Sequence, residues 1–138
     1  MTLFVDTSGI LALVDRDDPA HEGVVAAFAA GHTERLVTHA YVVVETLAVA
    51  RRRFGAATAA GIIDHVLPAL EVMPVDAELH AAALTAFRDT VESSVSLVDR
   101  TSFACMRREG IDRAIALDAD FRTAGFATVP NARPGGAA

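Results

Sequence analysis

The chain has 138 residues, enough for one domain that buries a core without disulfides or a structural metal. Its net charge of −6 argues against a protein that coats DNA through a basic surface. All 12 basic residues are arginine, and the absent lysine, together with the absent G-x-x-x-x-G-K motif, excludes P-loop kinases and ATPases. Cys105 is the only cysteine, which excludes an internal disulfide and is typical of a small buried hydrophobic residue.

Hydropathy gives no indication of a membrane protein. Although 52% of the residues are hydrophobic, no apolar run approaches the roughly 20 residues that span a bilayer, because charged residues and prolines interrupt each run. Met1 does not lead into a cleavable signal sequence, since Asp6 falls within the first apolar segment. We therefore expect a soluble, cytoplasmic protein with no membrane association.

Hydrophobic periodicity predicts strands that alternate with helices. In the first part of the chain we expect a strand over 2–5, a helix capped by Thr7 or Ser8 and reaching 14, a helix from Asp17-Asp18-Pro19 to about Gly31, a strand over 36–38 and a helix over 40–53. In the second part we expect a helix over 56–67 stopped by Pro68, a strand over 71–75, a helix capped by Asp76 and reaching 87, a helix over 98–109, a strand over 114–117 and a possible strand over 127–129.

This alternation predicts an α/β fold with a central parallel sheet of four to five strands and helices on both faces. One domain is expected over residues 1–130. Residues 131–138 carry Pro, Gly and Ala with nothing to bury, so we expect a disordered C-terminal tail.

Four acidic residues follow apolar segments in places where a parallel sheet collects its ligands. Asp6 ends the first predicted strand and Asp118 ends the fourth, and ligands gather beyond the carboxyl ends of strands. Glu45 lies within an apolar helix, and Asp99 begins a helix whose N-terminus favours a carboxylate. Their repulsion would raise their pKa values unless a cation neutralised them, and carboxylates without cysteine or clustered histidine favour Mg²⁺ or Mn²⁺.

Each acid also has an ordinary structural explanation. Asp99 could simply cap its helix. Asp6 and Asp118 could be turn residues at strand ends. Glu45 could pair with Arg51 or Arg52 further along its helix. Four such coincidences in one short chain are harder to explain than a cation site.

The sequences LFVDTS at 3–8, SLVDRTSF at 96–103 and AIALDADF at 114–121, with Glu45 on an apolar helix between them, resemble the PIN-domain family. The resemblance covers about residues 1–130 and is strongest to VapC-type toxins. It implies a three-layer α/β/α fold of sheet order 3-2-1-4-5 and a Mg²⁺- or Mn²⁺-dependent endoribonuclease, the toxin of a type II toxin–antitoxin system. It further implies an RNA substrate, a VapB-type antitoxin that inserts a segment into the acidic groove, and a homodimer.

The resemblance assigns the catalytic acids. The family's four acids map onto Asp6, Glu45, Asp99 and Asp118. Asp118 is preferred to Asp120 because the family tends to place its acid three residues before an aromatic side chain, here Phe121. Asp120 remains a candidate auxiliary metal ligand. The acids would hold one or two ions that activate a water molecule, so no side-chain nucleophile is required.

Hydroxyl and arginine side chains complete the candidate site. Ser8 and Ser102 match hydroxyl positions near the metal in the family, where they would position water or phosphate; helix capping explains them at least as well. Arg100 follows Asp99, and Arg52 shares a helical stripe with Glu45, so both could contact RNA, with a solvated helix face as the alternative. The histidines lack metal-ligand spacing and are assigned no catalytic role: His21, His32, His39, His65 and His80.

Other classes fit less well. Haloacid-dehalogenase-like phosphatases require a second Asp two residues after the first, where this chain has Ser8, and both they and response-regulator receivers require a lysine. Two related functions stay open: a housekeeping RNA-processing PIN nuclease, and a PIN-like module that has lost turnover and binds RNA or protein. The presence of all four acids favours an active nuclease. Groove shape and a few loop contacts would determine the RNA target.

Overall fold

Five parallel strands form the centre of the fold in the computed structural model, which describes residues 1–29 and 33–131. The strands are β1 (Thr2–Val5), β2 (Arg35–His39), β3 (Glu71–Met73), β4 (Arg113–Ile115) and β5 (Ala127–Val129). They lie in the order β3-β2-β1-β4-β5, which confirms the order 3-2-1-4-5 implied by the resemblance. Every pairing is parallel, as the alternation of strands and helices predicted.

Helices cover both faces of this sheet. The α-helices of the described residues are α1 (Thr7–Val14), α2 (His21–Ala29), α3 (Ala40–Phe54), α4 (Ala56–Gly61), α5 (Ala77–Asp89), α6 (Leu97–Glu109) and α7 (Ala119–Thr123). Connections from β1 to β3 run in one direction along the sheet and those from β3 to β5 in the other, so right-handed crossovers place α1–α4 on one face and α5–α7 on the opposite face. The contacts of α1 with α2 and α3, and of α6 with α5 and α7, agree with this three-layer arrangement.

The central strands are apolar because both of their faces are covered. Leu3, Phe4 and Val5 of β1 are buried, as are Ala114 and Ile115 of β4. No helix within the described residues has the length and apolar character needed to cross a bilayer. The central strands therefore form the apolar core of the fold, and the buried polar side chains at the carboxyl edge of the sheet are exceptions to this apolar character.

The first two helices begin at residues other than those predicted. Asp6, rather than Thr7 or Ser8, caps α1, since its Oδ2 accepts the N–H of Ser8 at 3.2 Å. Helix α2 begins at His21, because Asp18 instead forms a turn in which its carboxylate accepts a backbone N–H. The predicted end of α2 near residue 31 lies outside the described residues.

The second half of the chain also departs from the prediction. Strand β4 ends at Ile115, so Asp118 does not end it; Asp118 instead caps α7, a helix that the sequence did not predict. The single helix expected over 56–67 is α4 followed by a π-helical turn at Ile62–Val66 and a 3₁₀ turn that accommodates Pro68. The tail expected over 131–138 lies outside the described residues except for its first residue.

Candidate active site

Asp6 lies at the carboxyl edge of the sheet, where the strand order reverses between β1 and β4. Its backbone N–H donates to the carbonyl oxygen of Ile115, 3.0 Å away. The residue is 3% exposed, and its Oδ1 has no hydrogen-bond partner within the described residues. Burial raises the pKa of Asp6 to about 6, hydrogen bonds from Ser8 oppose the rise, and the charge of Glu45 adds to it. A buried oxygen without a partner is unfavourable, so this atom is suited to a ligand.

Ser8 connects Asp6 to the loop that precedes α7. Its hydroxyl donates to Asp6 Oδ2 at 2.6 Å, and its Oγ accepts the backbone N–H of Leu117 at 3.0 Å. Leu117 is the residue before Asp118, so a single hydroxyl group fixes the separation between two acid-bearing segments. Ser8 does not cap α1, because Asp6 has that role.

Three acids converge over the same edge of the sheet. One carboxylate oxygen from each of Asp99, Asp118 and Asp120 lies within 4.8 Å of the other two. Asp99 is buried near the start of α6, whose cap is Ser96, since Ser96 Oγ accepts the Asp99 N–H at 3.0 Å. Capping therefore does not explain Asp99. Asp120 is half-buried within this cluster, so it accompanies Asp118 rather than replacing it.

Phe121 holds α7 in the position that brings two of these acids to the edge. Its side chain is fully buried, with ring centroids 4.9 Å from Phe103 of α6 and 6.3 Å from Phe4 of β1. Asp118 Oδ1 accepts the backbone N–H of Asp120 at 3.0 Å, which orders the turn before the helix. The aromatic residue that favoured Asp118 in the sequence is thus the anchor of the acidic turn.

Glu45 approaches the edge from α3, on the opposite helical layer from α6. The residue is half-buried, and its charge adds to the effect of burial in raising the pKa of both Asp6 and Asp99. No salt bridge from Glu45 to Arg51 or Arg52 is present among the described residues. The ion pair considered as an alternative for Glu45 is therefore absent there.

Burial, with repulsion between the acids added to it, raises the pKa values of Asp6, Asp99 and Asp120. Burial raises the pKa of Asp99 to about 7, and the charges of Asp6, Asp118, Glu45 and Asp120 add to the rise. Burial and the charge of Asp118 likewise raise the pKa of Asp120. A cation at this edge would relieve the repulsion, and an all-carboxylate donor set with one unpartnered buried oxygen fits a hard divalent ion.

Of the two arginines predicted to contact RNA, Arg100 is the one whose charge affects the pKa of an acid in the cluster. It is half-buried on α6, and its Nε is a buried atom without a hydrogen-bond partner in the described part of the chain. Its positive charge opposes the burial and the Asp118 charge that raise the pKa of Asp120. Arg52 is exposed in the last turn of α3.

Ser102 contacts a histidine to which sequence reasoning gave no role. Its hydroxyl lies 2.8 Å from His39 Nε2 and 3.0 Å from the Val98 carbonyl oxygen, and both side chains are fully buried. His39 ends β2 and caps α3, so its position at a strand-to-helix junction was the signal that could have identified it. Of the other histidines, His21 and His80 bond within the fold, and His32 lies outside the described residues.

Known proteins are similar to this chain in sequence and fold. The family model for the PIN domain matches residues 3–127. The 23S rRNA-specific endonuclease VapC20 of Mycobacterium tuberculosis is 38% identical over 129 residues, which cover 92% of this chain and 97% of the relative. The crystal structure of that organism's VapC20, described as a sarcin-ricin loop cleaving toxin, superposes with a TM-score of 0.81 and 33% identity, covering 93% and 99% of the two chains.

More distant structures show the same fold. A chain of VapBC2 from Rickettsia felis aligns with a TM-score of 0.70 at 10% identity, covering 93% of this chain and 97% of its own. A chain of FitAcB from Neisseria gonorrhoeae aligns with a TM-score of 0.67 at 17% identity, covering 93% and 96%. At these identities the likeness extends to the fold alone.

Proposed function

Because this chain belongs to the PIN-domain family and is similar along nearly its whole length to a VapC-type toxin, we propose that it is a metal-dependent endoribonuclease, the toxin of a type II toxin–antitoxin pair. We assign residues 1–130 to its single catalytic domain. The observation that carries the proposal is the convergence of Asp99, Asp118 and Asp120, whose carboxylate oxygens lie within 4.8 Å of one another.

The proposed metal ligands are carboxylates from four separate segments of the chain. Asp6 and Asp99 are the principal ligands, because they are buried and have the raised pKa values expected of acids that a cation neutralises. Glu45, Asp118 and Asp120 complete the set. Oxygen donors without cysteine or histidine favour Mg²⁺ or Mn²⁺ over zinc.

The chemistry follows from this donor set. A bound divalent ion would supply water activation and stabilisation of the leaving 3′ oxygen of the phosphodiester. The residues of the chain hold the acids in place: Ser8 joins Asp6 to the segment of Asp118 through its two hydrogen bonds. The buried base of the cluster excludes water from one side of Asp6 and Asp99, which strengthens their interaction with a cation.

Arg100 is the proposed contact for the RNA backbone next to the acids. Its guanidinium carries a buried Nε without a partner in the described residues, and its charge acts on Asp120. A phosphate oxygen beside the cation would satisfy this donor, because guanidinium groups bind phosphate through directed hydrogen bonds. Arg52 is a more peripheral contact on the exposed end of α3.

Structured RNA is the proposed substrate. The relative that is 38% identical is named for its action on 23S rRNA, and its solved structure is described as a sarcin-ricin loop cleaving toxin. We propose this loop of 23S rRNA as the first substrate to test. We further propose a VapB-type antitoxin as the partner, a homodimer as the assembly, and the cytoplasm as the place of action.

The decisive experiment measures cleavage of 23S rRNA by the unaltered protein and by Asp6→Asn, with Mg²⁺ or Mn²⁺ present. We expect cleavage that EDTA abolishes and that falls on the order of a hundredfold in Asp6→Asn, since the variant loses a metal-binding charge worth several kcal/mol in the transition state. Asp89→Asn is the matched control, because it removes the same charge from an exposed position on α5.

Three results would each contradict a part of the proposal. If the unaltered protein and Asp6→Asn cleave equally, the activity does not come from this site. If neither cleaves while both bind the RNA, the chain is a binding module. An active nuclease whose expression does not arrest growth would be a housekeeping enzyme rather than a toxin.

A further inference from the structure

His39 joins the two helices that carry Glu45 and Asp99. Its Nδ1 accepts the backbone N–H groups of Tyr41 at 3.2 Å and Val42 at 3.4 Å, which caps α3. On the other side of the ring, Nε2 lies 2.8 Å from the hydroxyl of Ser102 on α6. The imidazole therefore spans the space between the start of one acid-bearing helix and the first turns of the other.

The direction of each hydrogen bond in this link is fixed. Because Nδ1 accepts two N–H groups, it carries no proton, and the proton of the neutral ring lies on Nε2. Nε2–H donates to Ser102 Oγ, and the Ser102 hydroxyl donates to the Val98 carbonyl oxygen at 3.0 Å. Burial lowers the pKa of His39 to about 4, so the ring stays neutral and keeps this arrangement at ordinary pH.

The hydrogen bond between His39 and Ser102 is buried, and aromatic rings pack against His39. His39 and Ser102 are both fully buried, and the His39 ring packs against Phe4 at 5.6 Å and against Tyr41 at 6.0 Å. Val98, which receives the last hydrogen bond, is directly before Asp99 in the chain. A shift of His39 would therefore move the backbone next to Asp99 relative to the helix of Glu45.

We propose that His39 is a positioning residue of the cation site, which sets the distance between the Glu45 and Asp99 carboxylates through its hydrogen bond to Ser102. The proposal rests on the proposed function, in which these two acids share a cation. Hydrogen-bonding groups behind metal ligands change metal affinity by about 10 to 100-fold when they are removed. The competing role is purely structural, with His39 serving only as the cap of α3.

Two substitutions separate these roles, because Nδ1 caps α3 whereas Nε2 contacts Ser102. In His39→Asn, the amide oxygen replaces Nδ1 and keeps the cap, but nothing reaches Ser102. In His39→Gln, the longer amide can place its NH₂ near the position of Nε2 and donate to Ser102, at the expense of the cap. Ser102→Ala removes the same link from the α6 side.

The experiment measures Mn²⁺ affinity of the full chain by isothermal titration calorimetry, together with 23S rRNA cleavage and melting temperature. We expect His39→Asn and Ser102→Ala to weaken Mn²⁺ binding by about tenfold or more, and His39→Gln to retain most of the affinity. The double variant His39→Asn/Ser102→Ala should be no weaker than the worse single variant, since both remove one interaction.

The other outcomes separate a failure of this proposal from a failure of the proposed function. If His39→Asn binds Mn²⁺ like the unaltered protein, or if only His39→Gln loses affinity, then His39 is a helix cap and nothing more. Failure of the unaltered protein to bind Mn²⁺ would overturn the metal site itself, and with it this role for His39. If the unaltered protein binds Mn²⁺ but does not cleave RNA, the nuclease proposal fails while the affinities still decide the role of His39.

Discussion

Thr46 of α3 donates a buried hydrogen bond to Thr7 of α1, with 3.2 Å between the two Oγ1 atoms. Each threonine directly follows an acid, Thr7 after Asp6 and Thr46 after Glu45. The bond therefore joins two acid-bearing segments, much as Ser8 joins Asp6 to the segment of Asp118. Short hydroxyl side chains next to the acids thus tie together parts of the chain that are distant in sequence.

Removal of this bond should destabilise the fold modestly. Thr46→Val keeps the branched shape but leaves the Thr7 hydroxyl without its donor, and such a loss costs about 1 kcal/mol. Chemical denaturation of both proteins measures the difference in the free energy of unfolding. Thr85→Val, at an exposed position on α5, controls for the exchange itself. Equal losses in both variants would show that the buried bond contributes nothing.

The acid cluster should make the metal-free protein less stable as the pH rises. The pKa values of Asp6 and Asp99 in the folded state, about 6 and about 7, exceed the ordinary value of 3.8. In the interval between, the folded state binds more protons than the unfolded state, so the free energy of unfolding falls with increasing pH. The loss begins above 3.8 and is complete once the pH exceeds about 7.

Asp99→Asn tests this dependence directly. Burial lowers the pKa of His39 to about 4, which acts in the opposite direction below pH 6.5, so variant and unaltered protein must be compared at each pH. In EDTA near pH 8, the melting temperature of Asp99→Asn should be about 4 °C higher than that of the unaltered protein. Near pH 5 this difference should be smaller. Saturating Mg²⁺ should stabilise the unaltered protein and reverse that order. A difference that does not change with pH would contradict the raised pKa of Asp99.

Asp118 and Asp120 should differ in their contribution to catalysis. Asn replaces Asp well as a helix cap, so Asp118→Asn should leave α7 intact while removing a charge from the cluster. We expect about a hundredfold loss of RNA cleavage in Asp118→Asn and about a tenfold loss in Asp120→Asn. Melting temperatures within a few degrees of the unaltered protein would show that the fold is preserved. The opposite ranking would make Asp120 the principal ligand of this turn.

Gly9 allows α1 to approach β4 closely. A Cβ atom at this position would lie 2.7 Å from the Ile115 carbonyl oxygen and 2.9 Å from its Cγ2, so the helix would have to move. Gly9→Ala should destabilise the protein by about 1–3 kcal/mol. Because the movement of α1 would also displace Asp6, we expect RNA cleavage to fall as well. Gly61→Ala is the control, because a Cβ there meets nothing within 4 Å. Equal stability of the two variants would contradict the close approach.

The sequence was informative where a residue breaks a strong local pattern. Asp6 ends an apolar strand and Asp99 begins a helix after an apolar segment, so the residues alone singled out these two acids, whereas Phe121 was informative only through the family resemblance. The strand order came from the family resemblance, since the alternation of strands and helices predicts only a parallel sheet. Both expectations about the sheet are confirmed.

Long-range hydrogen bonds were beyond prediction. His39 contacts Ser102 across 63 positions and Thr46 contacts Thr7 across 39, and neither pair has a spacing that suggests contact. The cap of α1 was misassigned for a related reason: in D-T-S each residue can cap a helix, and only the folded structure shows that the Asp6 carboxylate accepts the Ser8 N–H. Where neighbouring residues have similar capping preferences, the tertiary structure determines which of them caps the helix.

The proposed metal ligands lie directly after β1, on α3, on α6 and at the start of α7, so the proposed site joins segments that are far apart in the sequence. During translation, the N-terminal segment with Asp6 emerges long before Asp118 and Asp120, which complete the cluster. A ribosome-bound chain therefore cannot complete this centre until Asp118 and Asp120 have left the exit tunnel.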